Sequence, residues 1–204
     1  MTEFTESGIL FQFDKNWVVQ KYDEHRYFRR LCSVGLKGMD FLGIYGKEEL
    51  ILLEIKNYRI RYTEKPPTAI YHILQHPEIL ADKIIGKTRD TLQTVRVVNK
   101  YYRRNFFYRL FLPLLLRMRA SRRTLHTRLF WTQAQVLAES ENIRVILWLE
   151  TETEYEIFSK EEVKDFRNKV QTLLDKNGDG IRFEICNAGS KVPGISAAVL
   201  PVRS

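Results

Sequence analysis

Cysteine is scarce in this chain: Cys32 and Cys186 are the only two, too few for a disulfide framework. Proline and glycine are sparse as well, six and ten in 204 residues, and no Gly-, Ser- or Pro-rich stretch reads as a linker. No apolar run approaches the roughly 20 residues that cross a bilayer. The longest, Phe106 to Leu116, is broken by Arg109 and Pro113. Met1 to Ile9 shows no basic start leading into an apolar stretch and a small-residue cleavage site. These absences argue against a disulfide-stapled or membrane-spanning chain, and the expectation is a reduced, cytoplasmic setting.

What is present can build a core. Hydrophobic residues make up 44% of the chain, aromatics 12% and charged residues 28%, a composition that can bury enough apolar surface to fold. The length suits a single domain over 1–204.

The net charge of +8 is unevenly spread. Between Tyr58 and Phe130, twelve arginines and four lysines stand against four carboxylates, while the rest of the chain is net negative. Tyr101, Tyr102, Phe106, Phe107 and Tyr108 are interleaved with this basic block. Cations neutralise phosphates and aromatic faces stack on bases, so the combination suits nucleic acid, and Arg103, Arg104, Arg117, Arg119, Arg122 and Arg123 cluster best for phosphate contact. A solvated helix surface over a core of aromatics is the plainer account of the same residues.

Along the chain, Asp14 reads as the N-cap of a helix whose apolar positions, from Trp17 through Tyr22 and Phe28 to Leu31, end at Gly35. Met39 to Tyr45 and Leu50 to Tyr58 read as a β-hairpin, and Pro66-Pro67 opens a helical region with pieces over Thr68 to Gln75, Glu78 to Arg103, Phe106 to Met118 and Thr127 to Ser140. Ile143 to Leu149 is a nearly unbroken apolar run, the pattern of a strand covered on both faces. Ser159 with Glu162 forms a capping box for a helix reaching about Asp175, and Arg182 to Cys186 and Ala197 to Val202 read as late strands. The order predicts an α/β protein with one sheet, a core over about 14–60 and 127–204, and a long basic helical insertion over about 61–126.

Two charges break the aliphatic pattern of the second hairpin strand. Glu54 and Lys56 are two apart, so strand alternation puts them on one face. Burying either alone would cost several kcal/mol, roughly, so each needs a partner, a metal or an exposed cleft. Asp40 starts the preceding strand, which a short connection brings alongside. Two converging carboxylates call for a hard cation such as Mg²⁺.

Asp40, then Glu54-Ile55-Lys56 across a hairpin, with acidic Glu24 upstream, resembles the PD-(D/E)xK phosphodiesterase superfamily, the restriction-endonuclease-like nucleases. The resemblance covers about residues 15–60 by motif, and Met39 stands where that family usually has proline. It implies a restriction-endonuclease-like core of helix, hairpin, central mixed sheet and flanking helices. It further implies that Asp40 and Glu54 bind Mg²⁺ or Mn²⁺, that Lys56 orients the attacking water, and that Glu24 is auxiliary. The activity implied is metal-dependent hydrolysis of phosphodiester bonds, with DNA the favoured partner over RNA. A homodimer or a larger defence or repair complex is compatible with it. The alternatives are a non-catalytic nucleic-acid-binding protein on the same fold, or a membrane-surface protein that uses Phe106 to Met118.

Three other patterns carry less. Gly86-Lys87-Thr88 lacks the leading glycine and preceding strand of a phosphate loop, Asp175 to Gly180 lacks the twelfth-position glutamate of a calcium loop, and His72 with His76 lacks a third ligand at motif spacing.

Overall fold

The computed structural model describes residues 1–25, 35–59, 67–104, 128–151 and 159–201. In chain order the elements are β1 (Thr2–Glu6), β2 (Ile9–Phe13), β3 (Trp17–Lys21), β4 (Phe41–Tyr45), β5 (Glu49–Asn57), α1 (Pro67–Gln75), α2 (Pro77–Arg103), α3 (Arg128–Glu139), β6 (Ile143–Glu150), α4 (Lys160–Asn177), β7 (Arg182–Cys186) and β8 (Ile195–Val199). The class is α/β: a mixed five-stranded sheet in the order β3-β4-β5-β6-β7, a second sheet in the order β1-β2-β8, and four helices among the described residues. None of these helices is long and apolar enough to cross a membrane.

The chain divides into two compact units. The first comprises Met1–Asp14, Leu53–Gly86 and Val145–Ser204. Ser7 and Gly8, at φ 51° and 73°, make the tight turn between β1 and β2; two successive positive φ angles match the right-handed twist of a hairpin, and only Gly8 adopts one without steric cost. β8 pairs antiparallel with β2, Phe11 opposite Ala197. Ile9, Phe11 and Phe13 are fully buried, and the Phe11 ring meets Trp148 of β6 edge-on at 5.1 Å. Asn57, ending β5, donates its side-chain amide to the Ser7 carbonyl at 2.7 Å. Ser159 caps α4 in the predicted box, its hydroxyl accepting from the Glu162 N–H at 3.1 Å while the Glu162 carboxylate accepts from the Ser159 N–H at 2.8 Å. Val163, Phe166, Val170 and Leu174 then form the buried stripe of α4 at helical spacing.

The second unit comprises Lys15–Leu52 and Lys87–Arg144. β3 and β4 pair antiparallel from Trp17 opposite Tyr45 to Lys21 opposite Phe41. Gly43 leaves room for the Trp17 ring, whose carbons would lie 3.1 Å from any added Cβ. Gly46 and Lys47, at φ 57° and 73°, turn β4 into β5. α2 and α3 are joined through a buried bond from the Thr132 hydroxyl to Asn99 Oδ1 at 3.1 Å. The Leu50 N–H bonds the Asn142 carbonyl at 2.9 Å; in the first unit the Tyr58 N–H bonds the Glu150 carbonyl at 2.8 Å. The offset between partners is the same in both bonds, which makes the β5–β6 pairing parallel.

The hairpin, the helices at Pro67–Gln75, Pro77–Arg103 and Arg128–Glu139, the apolar β6 flanked by two strands, and β7 all match the sequence expectation. Three points are corrections. The helix expected from Asp14 is not there over 14–25: β3 and a turn take its place, because Trp17, Val18, Val19 and Gln20 are buried in succession and two adjacent valines favour a strand. The described residues form two sheets rather than one, since β8 joins the N-terminal hairpin. That hairpin itself was not expected, although Ser7-Gly8 between two alternating runs is its signal. The helix expected over Phe106 to Met118 lies outside the described residues.

Candidate functional site

In the first unit, β5 carries the Glu54 carboxylate at 0% exposure among aliphatic neighbours Leu53 and Ile55. The Lys56 ammonium donates directly to Glu54 Oε1 and also reaches the Ile55 carbonyl at 3.2 Å. The Lys56 side chain is a quarter exposed, so the pair is reached from solvent on the lysine side. Alternation along the strand therefore does what the sequence predicted, placing both charges on one face. Two residues on, burial pushes the Tyr58 phenol well above its ordinary range and the Glu54 charge adds to the effect.

In the second unit, Asp40 precedes β4 and its position is fixed from both sides. Its carbonyl accepts from the Tyr22 N–H at 2.8 Å. Upstream, the Lys37 N–H donates to Asp90 Oδ2 at 2.8 Å and the Met39 N–H to the Thr91 hydroxyl at 3.1 Å, so two side chains of α2 clamp the segment that delivers Asp40. The Asp40 carboxylate lies 3.9 Å from the Lys87 ammonium, both partly exposed. Lys87 was not singled out for this role in the sequence; its position ten residues into α2 gives no local signal. Burial raises the Tyr22 phenol pKa well above its ordinary range, opposed by a hydrogen bond with Thr94 and assisted by Asp90.

Glu24 is placed differently from expectation. It sits in the turn after β3, its carboxylate paired with Lys21 at 2.8 Å and more than half exposed, not on a helix. Of the predicted nucleic-acid contacts, Arg103 at the end of α2 and Arg104 just after it are exposed, beside Lys100 and the exposed ring of Tyr101. Arg117, Arg119, Arg122 and Arg123 lie outside the described residues.

Carboxylate oxygens such as those of Asp40 and Glu54 are the donor type that Mg²⁺ and Mn²⁺ prefer. Among the described residues, no group of three or more His, Cys, Asp or Glu side chains gathers to hold a metal. Gly86-Lys87-Thr88 lies within α2 and is no phosphate loop. Asp179 and Gly180 form the turn from α4 to β7, where Gly178 is required because an added Cβ would lie 2.2 Å from the Phe183 ring. The rings of His72 and His76 lie 4.6 Å apart, and His76 pairs with Glu78 at 2.9 Å.

Comparison of the chain with protein-family models, with curated proteins and with solved structures gives no match.

Proposed function

We propose that the chain is a metal-dependent nuclease of PD-(D/E)xK type that hydrolyses phosphodiester bonds, DNA before RNA, on a restriction-endonuclease-like core. The observation that carries this reading is the Glu54–Lys56 pair: a fully buried carboxylate beside a lysine that remains reachable from solvent, following the aliphatic run Leu50 to Leu53. The coarse order from β3 onward, strands, helices, strand, helix, strand, supports it, as does the side-chain clamp on the segment before Asp40.

In this reading Glu54 of the first unit and Asp40 of the second are each a carboxylate of the kind that takes Mg²⁺ or Mn²⁺. The bound cation would supply a water of lowered pKa and polarise the phosphate. Lys56 orients that water and offsets the negative charge that grows on the phosphate oxygens. Were the Lys56–Glu54 contact to open, Glu54 Oε1 would be available to hold the cation and the ammonium to meet the substrate. Glu24, exposed and paired with Lys21, contributes only to the periphery.

The test is cleavage of plasmid and single-stranded DNA with Mg²⁺ and with Mn²⁺. Asp40→Ala and Lys56→Ala should each lower the rate by about 10²-fold or more. Cleavage that survives both substitutions refutes the assignment.

One observation favours a second reading, a nucleic-acid-binding protein without cutting activity. Tyr101 is 64% exposed between Lys100 and the pair Arg103 and Arg104, which offers stacking beside phosphate contacts. Salt-sensitive binding of DNA with no cleavage under either cation would select it.

A further inference from the structure

The first unit holds a cavity of about 410 Å³ between the carboxyl ends of β5 and β6, the segment after β7, and the first two turns of α4. Its wall is charged in one sense. Arg59, Lys160, Lys164 and Arg167 line it, against Glu150 as the one carboxylate in the lining among the described residues.

That carboxylate is fully engaged. Glu150 accepts from the Trp148 indole at 2.9 Å, from the Ala188 N–H at 2.5 Å and from the Arg59 guanidinium at 3.0 Å. It offsets Arg59 and acts in part on Arg167, and leaves Lys160 and Lys164 without an opposing charge among the described residues. Lys160, Lys164 and Arg167 follow one another at spacings of four and three, so they form a stripe along one face of α4. Two features make this stripe costly in an empty site. Lysines one turn apart repel, and Lys160 sits in the first turn of the helix, where cations are disfavoured. Neither lysine has an ion pair or hydrogen bond among the described residues, while Lys169, further along α4, is paired with Asp165 at 2.7 Å.

Arg167 is half-buried, and burial pulls its guanidinium below the ordinary arginine value. One Nη donates to the Leu149 carbonyl at 2.9 Å, and among the described residues Nε has no hydrogen-bond partner, as is also true of Arg59 Nε. Both guanidinium groups are thus anchored by one edge, and in each the unpartnered Nε is itself buried. Among the described residues no aromatic ring lines the cavity, so none of them stacks a base there. The volume falls in the range of small-ligand sites.

We propose that this cavity is a binding site for a multiply charged phosphate group, held by Lys160, Lys164 and Arg167 with Arg59 at its edge. The ligand is a phosphate compound read by its charge, not a base. It does not depend on the reading of Glu54 and Lys56. Two sources share this chemistry, a free polyphosphate and the terminal phosphate of a nucleic-acid strand.

The test is calorimetric titration of the full chain with inorganic pyrophosphate. Saturable binding that weakens about tenfold or more in K160A/K164A, and is unchanged in K169A, is the expected result. The two lysines are exposed and unpaired, so the fold should survive, which circular dichroism checks. Absence of pyrophosphate binding, or binding undiminished in K160A/K164A, overturns the proposal. Once binding is found, competition with a short single-stranded oligonucleotide identifies the source. Displacement by the 5′-phosphorylated but not the 5′-hydroxyl form supports a strand end, and displacement by neither supports a free polyphosphate.

Discussion

The ammonium of Lys56 rests directly on the carboxylate of Glu54, its neighbour two positions back on the same face of β5. Glu54 is at 0% exposure, so its charge depends on that contact more than the lysine does. Lys56→Met, which removes the ammonium and leaves the carboxylate, should destabilise the protein by about 1–3 kcal/mol, less than for a wholly buried pair because the lysine is partly solvated. Glu54→Gln with Lys56→Met should recover much of that loss, since neither charge is then left alone. Urea unfolding of the single and double variants measures both. If the double variant regains stability without cleavage, the pair acts in chemistry as well as in folding; equal instability of the two variants would contradict this account.

Glu150 gathers three donors in the first unit. Glu150→Ala would orphan the Trp148 indole and the Ala188 N–H and release Arg59. A cost of about 3 kcal/mol or more is expected, the scale of losing a buried acceptor with charged and neutral partners. The unfolding midpoint and the Trp fluorescence spectrum should both shift. A variant as stable as the parent would show that these bonds contribute nothing.

Alkaline stability follows from the two buried phenols. The pKa values of Tyr22 and Tyr58 are raised, mainly by burial. The unfolded chain therefore loses those protons first, near pH 10, while the folded chain keeps them. The folded state then binds more protons than the unfolded one, so stability falls as pH rises above about 10 and is unaffected by these groups below it. Tyr58→Phe should flatten that fall. Unfolding free energies measured from pH 8 to 11 check it, and an unchanged slope would refute the assignment to Tyr58.

Gln20 on β3 is 3% exposed, and neither its Nε2 nor its Oε1 has a hydrogen-bond partner among the described residues. An unsatisfied buried amide costs about 1–3 kcal/mol. Gln20→Met keeps the length and removes the polar atoms, and should be neutral or stabilising by about 1 kcal/mol. Thermal unfolding decides it; a marked loss of stability would mean that the amide is satisfied in solution.

Ser159→Ala removes the side-chain acceptor of the α4 capping box. The expected cost is about 1 kcal/mol. Because Lys160 and Lys164 follow immediately, the same substitution should also loosen the start of the cationic stripe, seen as faster amide exchange in the first turn. No change in exchange would show that the cap is dispensable.

Much of the fold was legible because its signals are local. The apolar run of β6, the Ser159–Glu162 box and the helical pattern closed by Arg103 each lie within one element, where propensity and burial agree. The segment from Asp14 was misread because Trp17, Val18 and Tyr22 also fit a helical spacing, and only the pairing of β3 with β4 selects the strand. Glu24 followed that misreading off the helix and into a turn. The pairing of β8 with β2 joins residues nearly the whole chain apart, a distance over which composition carries no information.

The sequence by itself determined that Glu54 and Lys56 share a face, since strand alternation is a property of the backbone and needs no partner. It equally determined the basic middle third and the lone cysteines. Only the tertiary structure decided that Asp40 is clamped by Asp90 and Thr91 and lies near Lys87, and that Arg59 meets Lys160, Lys164 and Arg167 around one cavity. Those groups come from elements separated by about 50 to 100 residues of chain. Their meeting depends on which strands pair and which helix faces pack, and that choice is made by the whole buried surface acting together, not by any local pattern.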